Sequence, residues 1–320
     1  MNWKNKEVLC IGGTGSLGKA LTKELLTNYS AKGIRIFSRD ELKQGEMRHE
    51  LCSEFNNPPV SFLIGDIRDR KRVELAMKGT NLVVHCAALK QVPSCEFNPM
   101  EAIKTNILGS QNVLLSALEN DSVEKVMAIS TDKACYPVNL YGGTKLCMEH
   151  LFIDGNVYSS GRNPRFSCCR YGNVLGSRGS VVPLFKKQYA KNKTVTVTDP
   201  KMTRFWITLN QVAKFIIRSI EDMAGGEIFI PKMPSASILD IMNAVLPENH
   251  NAEIKTIGIR PGEKLHEVLI TKEESLKMIS EKGRFVIKQD PVLPAIEFEY
   301  RSETNAQWMT VEEIKQMVGG

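Results

Sequence analysis

Residues 7–18, with the sequence EVLCIGGTGSLG, decide the fold of this chain. The apolar run Glu7–Ile11 predicts a short strand, and it leads directly into glycines at positions 12, 15 and 18. Glycine lets a backbone approach a pyrophosphate closely, and the helix that follows offers free N–H groups and a partial positive charge. The stretch therefore predicts a strand, a loop and a helix that bind a dinucleotide through Gly12, Thr14, Gly15, Ser16, Leu17 and Gly18.

Short apolar runs continue to alternate with helix-like segments through the first half of the chain. Further strands are predicted at Ile34–Ser38, Val60–Ile64, Asn81–Cys86, Lys125–Ser130 and Phe166–Tyr171. Helical periodicity is evident at Leu17–Thr27 and Pro99–Leu118. This alternation predicts an α/β fold, a Rossmann-type doubly wound parallel sheet, whose ligands bind at the carboxyl ends of the strands.

The pattern loosens after Tyr171, where proline and glycine become more frequent. One more helix at Gln211–Met223 and a strand at Glu227–Ile230 are expected to rejoin the sheet. We therefore predict a dinucleotide-binding domain of residues 1–171 plus 209–231. A smaller, discontinuous substrate domain would comprise residues 172–208 plus 232–320. The sequence around 275–305 allows no clear prediction.

Composition narrows the class of protein. The chain has 320 residues, 42% of them hydrophobic and 24% charged, and no apolar run approaches the roughly 20 residues that span a bilayer. The run Val8–Ile11 is too short for a signal peptide, so we expect a cytoplasmic protein with no membrane partner. The net charge of +6 is spread without a dense basic block, which argues against nucleic acid. Eight cysteines without a C-x-x-C pair favour buried reduced thiols and no metal site.

The end of the second predicted strand indicates which dinucleotide is bound. NAD enzymes place a carboxylate there for the ribose 2′-hydroxyl, whereas NADP needs a cation beside the 2′-phosphate. Here a hydroxyl and a guanidinium precede the carboxylate, so we predict NADP, provided that Asp40 points elsewhere. The predicted contacts at this end are Ser38, Arg39, Asp40, Glu41, Leu42 and Lys43.

Later strand ends supply the remaining predicted cofactor contacts. Asp66 and Ile67 follow the third strand, where an adenine contact is usual, although Asp66 could instead cap a helix. Cys86 ends the fourth strand, and Val174 follows the sixth.

A tyrosine and a lysine with helical spacing follow the fifth strand. Tyr141 and Lys145, four residues apart, share one face of a helix, downstream of Thr131 at the strand end. A free phenol has a pKa of about 10, and a nearby ammonium would lower it toward the range of a useful base. The three residues predict removal of a hydroxyl proton while hydride leaves the same carbon, and Tyr141 and Lys145 would also contact the cofactor.

Asp132 and Lys133, next to Thr131, add a second acid–base pair. In isolation they could form a solvated turn. A dehydrogenase or 4-epimerase has no need of them, whereas a dehydratase must remove a C5 proton and expel the C6 hydroxyl. Lys133 could be the base if burial or cationic neighbours lower its pKa, and Asp132 could protonate the departing hydroxyl.

Longer strings of sequence identify a family. The chain resembles the inverting UDP-N-acetylglucosamine 4,6-dehydratases, which are extended short-chain dehydrogenases/reductases. The strings are GGTGSLGK at 12–19, SRDELKQ at 38–44, AALK at 87–90, STDKA at 130–134, NLYG at 139–142, RYGNV at 170–174, GSRGSVVP at 176–183, MTRFWI at 202–207 and GIRPGEKLHE at 258–267, with a last match at 305–308. Gln91, where histidine is common in relatives, departs from the pattern and leaves the exact sugar open.

The resemblance implies a closed redox cycle on UDP-N-acetylglucosamine. Tyr141, with Thr131 and Lys145, would take the C4 hydroxyl proton as hydride passes to NADP. Lys133 would take the C5 proton and Asp132 would assist loss of water. Hydride would return to C6, and C5 would be reprotonated from the opposite face. The resemblance further implies a homo-oligomer and the first step of pseudaminic acid synthesis for flagellin glycosylation.

The resemblance also implies a set of substrate contacts, among them arginines suited to a diphosphate. They are Lys90, Asn173, Val182, Arg204, Arg260, His266 and Glu267. Arg204 could instead form a surface salt bridge, and His266 and Glu267 could be ordinary residues of a helix surface. Two other functions stay open: an NADP-dependent UDP-sugar 4-epimerase, and a dinucleotide-binding protein without catalytic activity.

Overall fold

The computed structural model describes residues 1–176, 181–294 and 297–319. Residues 177–180, within the string at 176–183, lie outside them. The first half of the chain contributes six strands: β1 (Glu7–Ile11), β2 (Gly33–Ser38), β3 (Val60–Ile64), β4 (Leu82–His85), β5 (Lys125–Ile129) and β6 (Arg165–Cys169). The helices between them are α1 (Ser16–Glu24), α2 (Glu41–Glu54), α3 (Arg70–Met77), α4 (Val92–Phe97), α5 (Pro99–Ile103), α6 (Gly109–Leu118) and α7 (Leu140–Asp154).

Two of the predicted helices contain a wider π-helical turn. Leu25–Tyr29 continues α1, and Lys104–Leu108 joins α5 to α6. The predicted helices Leu17–Thr27 and Pro99–Leu118 are therefore confirmed as continuous helical stretches.

The second half of the chain contributes shorter elements. Its strands are β7 (Asn173–Val174), β8 (Thr194–Val197), β9 (Thr203–Ile207), β10 (Ile228–Pro231), β11 (Ser235–Ser237), β12 (Glu253–Thr256), β13 (Val268–Ile270), β14 (Met278–Glu281), β15 (Arg284–Ile287) and β16 (Tyr300–Arg301). Its helices are α8 (Val181–Asn192), α9 (Leu209–Asp222), α10 (Ile238–Val245), α11 (Lys272–Ser275) and α12 (Val311–Gly319).

The main sheet has the strand order β14-β15-β10-β6-β5-β4-β1-β2-β3. The seven neighbouring strands β10, β6, β5, β4, β1, β2 and β3 all run parallel, which confirms the predicted Rossmann-type α/β fold. Helix α9 and strand β10 rejoin this sheet as predicted. Because the strands are parallel, their carboxyl ends share one edge, and the loops after β1, β4 and β5 meet there.

A hairpin of β14 and β15 extends the sheet antiparallel to β10. Residues 278–287, predicted for the substrate domain, instead extend the main sheet, and Phe285, Val286 and Ile287 are buried in the main core. The hairpin covers the edge of β10, which would otherwise expose unpaired backbone groups.

A second, smaller core lies outside the main sheet. It packs side chains of α8, α10 and α12 around β8 and β9, including Phe185, Trp206, Met242 and Ile314. This cluster supports a separate substrate domain, although its boundaries stay a prediction. Among the described helices, none has the length and hydropathy needed to cross a bilayer.

A buried ionic cluster fixes helix α7 to the sheet. The guanidinium of Arg170, 1% exposed, donates to Glu149 on α7 at 2.9 and 2.6 Å. It also donates to Glu274 of α11 at 2.8 and 2.7 Å. Removing one member of a buried ion pair costs about 3–5 kcal/mol, because the partner charge stays buried. Arg170 therefore holds the helix that carries Tyr141 in one position.

Candidate active site

The glycine loop after β1 is shaped for close approach of a ligand. Gly12 has a φ of +79°, and a Cβ built on it would lie 2.7 Å from the backbone nitrogen of Ala87. A Cβ on Gly18 would lie 2.3 Å from the carbonyl oxygen of Gly13, so α1 packs directly on the loop. Gly15 is the N-cap of α1, with no side chain between the helix end and the site. The absence of side chains at these three positions leaves room for a phosphate at the start of α1, and binding of the dinucleotide through this loop stays a prediction.

At the end of β2, the side chain of Arg39 is exposed, whereas Asp40 bonds to its own helix. Asp40 is the N-cap of α2: its Oδ1 accepts from Lys43 N at 3.0 Å, and its other oxygen accepts from Lys43 Nζ. These bonds lower the pKa of Asp40. The side chain of Arg39 is half exposed and lies 3.5 Å from Asp66. Ser38 Oγ accepts a bond from Gln44 Nε2 at 3.0 Å. The Asp40 carboxylate therefore points to its own helix, and Arg39 remains accessible. Glu41 and Leu42 are exposed in the first turn of α2.

The turn after β3 places Asp66 beside Arg39. Burial raises the pKa of Asp66, but the hydrogen bonds from Arg68 outweigh it and the pKa is lowered. The helix cap that we considered for Asp66 is provided by Asp69, which accepts from Arg72 N at 3.1 Å. Ile67 is buried. Asp66 therefore remains a candidate ligand-facing residue.

The turn after β5 brings the two acid–base residues into the interior. Asp132 is 0% exposed, and its Oδ1 accepts from Thr131 Oγ1 at 2.8 Å and from Lys133 Nζ at 3.0 Å. Its Oδ2 is buried without a hydrogen-bond partner among the described residues. The solvated turn considered for these residues is therefore wrong. An unpaired buried carboxylate oxygen is costly unless a ligand or water meets it.

Lys133 lies between two carboxylates. Its Nζ is 3.0 Å from Asp132 Oδ1 and 3.2 Å from Glu267 Oε1. Burial acts to lower the pKa of Lys133, but Asp132 and Glu267 outweigh burial and the repulsion of Arg204, and raise it. The lowered pKa that would suit Lys133 as a base is therefore not met in this arrangement, because the two carboxylates favour the protonated amine.

Tyr141 and Lys145 are both buried in the first turns of α7. Burial raises the pKa of Tyr141 to about 12, against the lowering by Lys133 and by a hydrogen bond with Thr131. Lys145 Nζ donates to the carbonyl of Ile129 at 2.5 Å and contacts Met148 Sδ at 3.1 Å. The phenol pKa is therefore raised and not lowered as expected, because burial outweighs the neighbouring charges. The cation that acts to lower the pKa of Tyr141 is Lys133, not the predicted Lys145.

The segment before β13 closes the other side of the site. Arg204 is 7% exposed and donates to the carbonyls of Thr203, Leu265 and Lys264 at 2.7, 3.0 and 2.9 Å. It is not the surface salt bridge that we considered. These three hydrogen bonds attach Arg204 to the segment before β13, and contact with a diphosphate stays a prediction.

His266 and Glu267 lie in a loop, so the helix surface considered for them is wrong. His266 Nδ1 is 2.8 Å from Thr203 Oγ1. Burial raises the pKa of Glu267, but Lys133, Arg204 and Lys264 outweigh burial and lower it.

The remaining predicted substrate residues surround this cluster. Lys90 is exposed, and its pKa is lowered by burial of part of the side chain and by Lys133. Arg260 is largely exposed and donates to Glu263 at 2.6 Å. Asn173 Oδ1 is buried without a hydrogen-bond partner among the described residues, and Val182 is buried in the second core.

Lys264 is a site residue that the sequence reasoning missed. Its Nζ donates to the carbonyl of Cys135 at 2.6 Å and lies 3.2 Å from Glu267 Oε2. It therefore joins the catalytic turn after β5 to the loop before β13. Its position in the string at 258–267 was the available signal, but a lysine in a loop gives no indication of its partner.

The parallel sheet, the glycine loop and the Thr131, Tyr141 and Lys145 set define an extended short-chain dehydrogenase/reductase. A family model described as polysaccharide biosynthesis protein matches residues 8–289. A UDP-N-acetylglucosamine 4,6-dehydratase (inverting) of Campylobacter jejuni is 46% identical, covering 99% of this chain and 98% of the relative. The chain belongs to the polysaccharide biosynthesis protein family, and the resemblance to the inverting dehydratases is confirmed.

The chain is also similar to a protein named as an epimerase and to a solved structure. A protein of Rickettsia rickettsii named UDP-glucose 4-epimerase is 44% identical over 89% of this chain and 84% of its own length. The X-ray structure of Pen from Bacillus thuringiensis is similar with a TM-score of 0.92 and 40% identity, covering 99% of both chains. Both known dehydratases and proteins named as epimerases are thus related to this chain.

Burial of Lys145 makes the stability of the protein depend on pH. Burial lowers the pKa of Lys145 to about 8, below its ordinary value in the unfolded chain. Between these values the unfolded state binds more protons, so stability of the parent rises with pH. Lys145→Met lacks the amine, so its stability should not show this rise. The free energy of unfolding of the variant minus that of the parent should therefore fall by on the order of 2 kcal/mol between about pH 8 and pH 10.

Urea unfolding at both pH values measures this difference. The exposed Lys187→Met is the matched control and should show no such trend. A difference for Lys145→Met that stays constant with pH would contradict the assignment of a buried, poorly solvated amine.

Proposed function

We propose that the protein is a UDP-N-acetylglucosamine 4,6-dehydratase that uses NADP and inverts C5. The observation that carries the proposal is the ion pair between the buried Asp132 and the partly buried Lys133, close to Tyr141. The relative from Campylobacter jejuni supports the substrate and the reaction. The product would be the 4-keto-6-deoxy sugar UDP-2-acetamido-2,6-dideoxy-β-L-arabino-hex-4-ulose.

The residues of the chain fit a nicotinamide dinucleotide. A Cβ at Gly12 or Gly18 would clash with the backbone of Ala87 or Gly13, so the loop packs closely on the helix, as the binding of a pyrophosphate at a helix N-terminus requires. A nicotinamide dinucleotide bound there would supply hydride transfer, from C4 in the oxidation and to C6 in the final reduction. Tyr141 takes the C4 hydroxyl proton, with Thr131 bonded to the phenol and Lys145 on the same helix. Its raised pKa means that the buried phenol releases its proton only when positive charge is close.

Elimination requires two more proton transfers. Once C4 is a ketone, Lys133 passes its own proton to Asp132 Oδ1, which lies 3.0 Å away. The neutral amine then takes the C5 proton, and the protonated Asp132 gives its proton to the C6 oxygen so that water leaves. The buried Oδ2 of Asp132 has no partner among the described residues and would meet the sugar hydroxyl. A proton then reaches C5 from the opposite face, which gives the inverted centre.

Arg260 and Lys90 are the cations best placed for a UDP diphosphate. Both are exposed, whereas Arg204 is buried and makes three hydrogen bonds to backbone carbonyls. Asn173, whose Oδ1 is buried without a hydrogen-bond partner in the described part of the chain, would bind a polar group of the substrate. Assembly as a homo-oligomer and a place in pseudaminic acid synthesis rest on the family resemblance alone.

The second candidate function is a UDP-sugar 4-epimerase. The relatives named as epimerases favour it, because they are nearly as similar as the dehydratase. An epimerase returns hydride to C4 and uses Tyr141 and Lys145 without an acid–base pair for C5. The burial and mutual bonding of Asp132 and Lys133 favour the dehydratase.

Replacing Lys133 separates the two functions. In Lys133→Ala, we expect UDP-N-acetylglucosamine to reduce bound NADP in a single turnover, followed by release of dehydrated product at least 100-fold slower than in the parent. A residue acting as general base contributes on the order of 10²–10⁴ to the rate. Absorbance of the reduced cofactor and mass spectrometry of the sugar measure the two steps.

The control for this experiment is Lys282→Ala, in the exposed turn between β14 and β15. Dehydration at the parent rate in Lys133→Ala would remove Lys133 from the elimination. Interconversion at C4 without loss of water, in both the parent and the variant, would establish the epimerase.

The cofactor assignment depends on Arg39. With Asp40 committed to its helix, Arg39 is the accessible cation at the end of β2. In Arg39→Ala, we expect the Kd for NADP to rise about tenfold, equivalent to ~1.4 kcal/mol, with little change for NAD. Titration calorimetry measures both, with the distant, exposed Arg162→Ala as control. Tighter binding of NAD than of NADP by the parent would overturn the assignment.

A further inference from the structure

Glu267 is a buried carboxylate in contact with the catalytic lysine. It is 2% exposed, and its Oε1 lies 3.2 Å from Lys133 Nζ and 3.9 Å from the Nε of Arg204. Its Oε2 lies 3.2 Å from Lys264 Nζ. Three cations thus surround one carboxylate, which leaves it little surface for a ligand.

The main chain of Glu267 is also fixed. Its N–H donates to Ser302 Oγ at 2.9 Å, and its carbonyl accepts from the N–H of Ser302 at 2.9 Å. Ser302 Oγ is in turn 2.7 Å from Thr203 Oγ1. The carboxylate is therefore held in place before any substrate binds. It belongs to the loop before β13, whereas Lys133 belongs to the turn after β5.

The resemblance had suggested that Glu267 contacts the substrate. Its burial and its three cationic neighbours argue for a different task. A sugar hydroxyl would have to displace one of the ion pairs to reach it. Lys133, by contrast, keeps an exposed fraction of 26% in its side chain, so the amine itself remains accessible.

We propose that Glu267 is a positioning residue for the elimination step, which holds the Lys133 amine in place and sets the pH at which that amine can accept the C5 proton. The proposal rests on the function proposed above. It assigns the loop before β13 a part in proton transfer that is separate from binding of the sugar.

The charges around Lys133 determine the direction of the effect. Asp132 and Glu267 favour the protonated amine, whereas Arg204, Lys90 and burial disfavour it. The phenol of Tyr141 lies in the same cluster and is neutral until it loses its proton. Lys133 must release its own proton before it can accept the one from C5. Removing the charge of Glu267 therefore lowers the pKa of Lys133, and the neutral amine becomes available at lower pH.

Glu267→Gln tests this directly, because it keeps the shape and removes the charge. We expect the acid limb of the kcat profile for water elimination to move to lower pH by about one unit or more. The KM for UDP-N-acetylglucosamine should stay within about twofold of the parent. Glu267→Asp should restore part of the parent profile. Glu303→Gln, which removes a partly buried ion pair with Arg301 next to Ser302, should leave the profile unchanged.

A second variant covers the case in which Glu267→Gln does not fold. Lys264→Met removes a cation from the cluster and should move the acid limb the other way, to higher pH. Reduction of bound cofactor on addition of the sugar reports that each variant is folded, because that step does not use Lys133.

The possible outcomes separate the two proposals. An increased KM with an unmoved acid limb would make Glu267 a substrate ligand and overturn the inference. An unmoved limb and KM in both variants would overturn it as well. If the parent itself releases no water from the sugar, the proposed function fails, and the inference fails with it. If the parent eliminates water and the acid limb of the variants does not move, the inference on Glu267 fails and the dehydratase assignment stands.

Discussion

The site depends on one ionic contact, the amine of Lys133 between the carboxylates of Asp132 and Glu267. Asp132 and Lys133 come from the turn after β5, and Glu267 comes from the loop before β13. Lys264 strengthens the same junction through the carbonyl of Cys135. Because all these groups are buried or nearly so, their charges are weakly screened and each sets the protonation of the others.

Beneath this junction, a second buried ionic cluster holds the helix that carries Tyr141. Arg170 follows β6 and bonds Glu149 on α7 and Glu274 on α11. Arg170 thus connects the end of β6, helix α7 and helix α11 through hydrogen-bonded ion pairs. Buried ion pairs give little net stability over an apolar core, but they fix relative positions. For a reaction with several proton transfers, fixed positions matter more than added stability.

Much of the fold followed from local pattern. The strands β1 to β6 matched the predicted runs within two residues at each end, because a parallel strand buried on both faces is continuously apolar. Sequence pattern alone does not predict the β14–β15 hairpin, since its strands are only four residues long, carry Glu281 and Arg284 next to the turn, and only Lys282-Gly283 marks that turn. Helical spacing suggests Tyr141 and Lys145 as candidate catalytic residues, but it does not give their protonation. The pKa directions of Lys133 and Tyr141 depend on Glu267 and on burial, which are set by residues far away in the chain.

Incubation of the parent protein with UDP-N-acetylglucosamine in D₂O tests the central claim most directly. If Lys133 and Asp132 carry out elimination, the sugar loses one water, and the product carries one deuterium at C5 with inverted configuration, as mass and proton spectra would show. A product that keeps its mass and its C5 proton, changed only at C4 or not at all, would contradict the account.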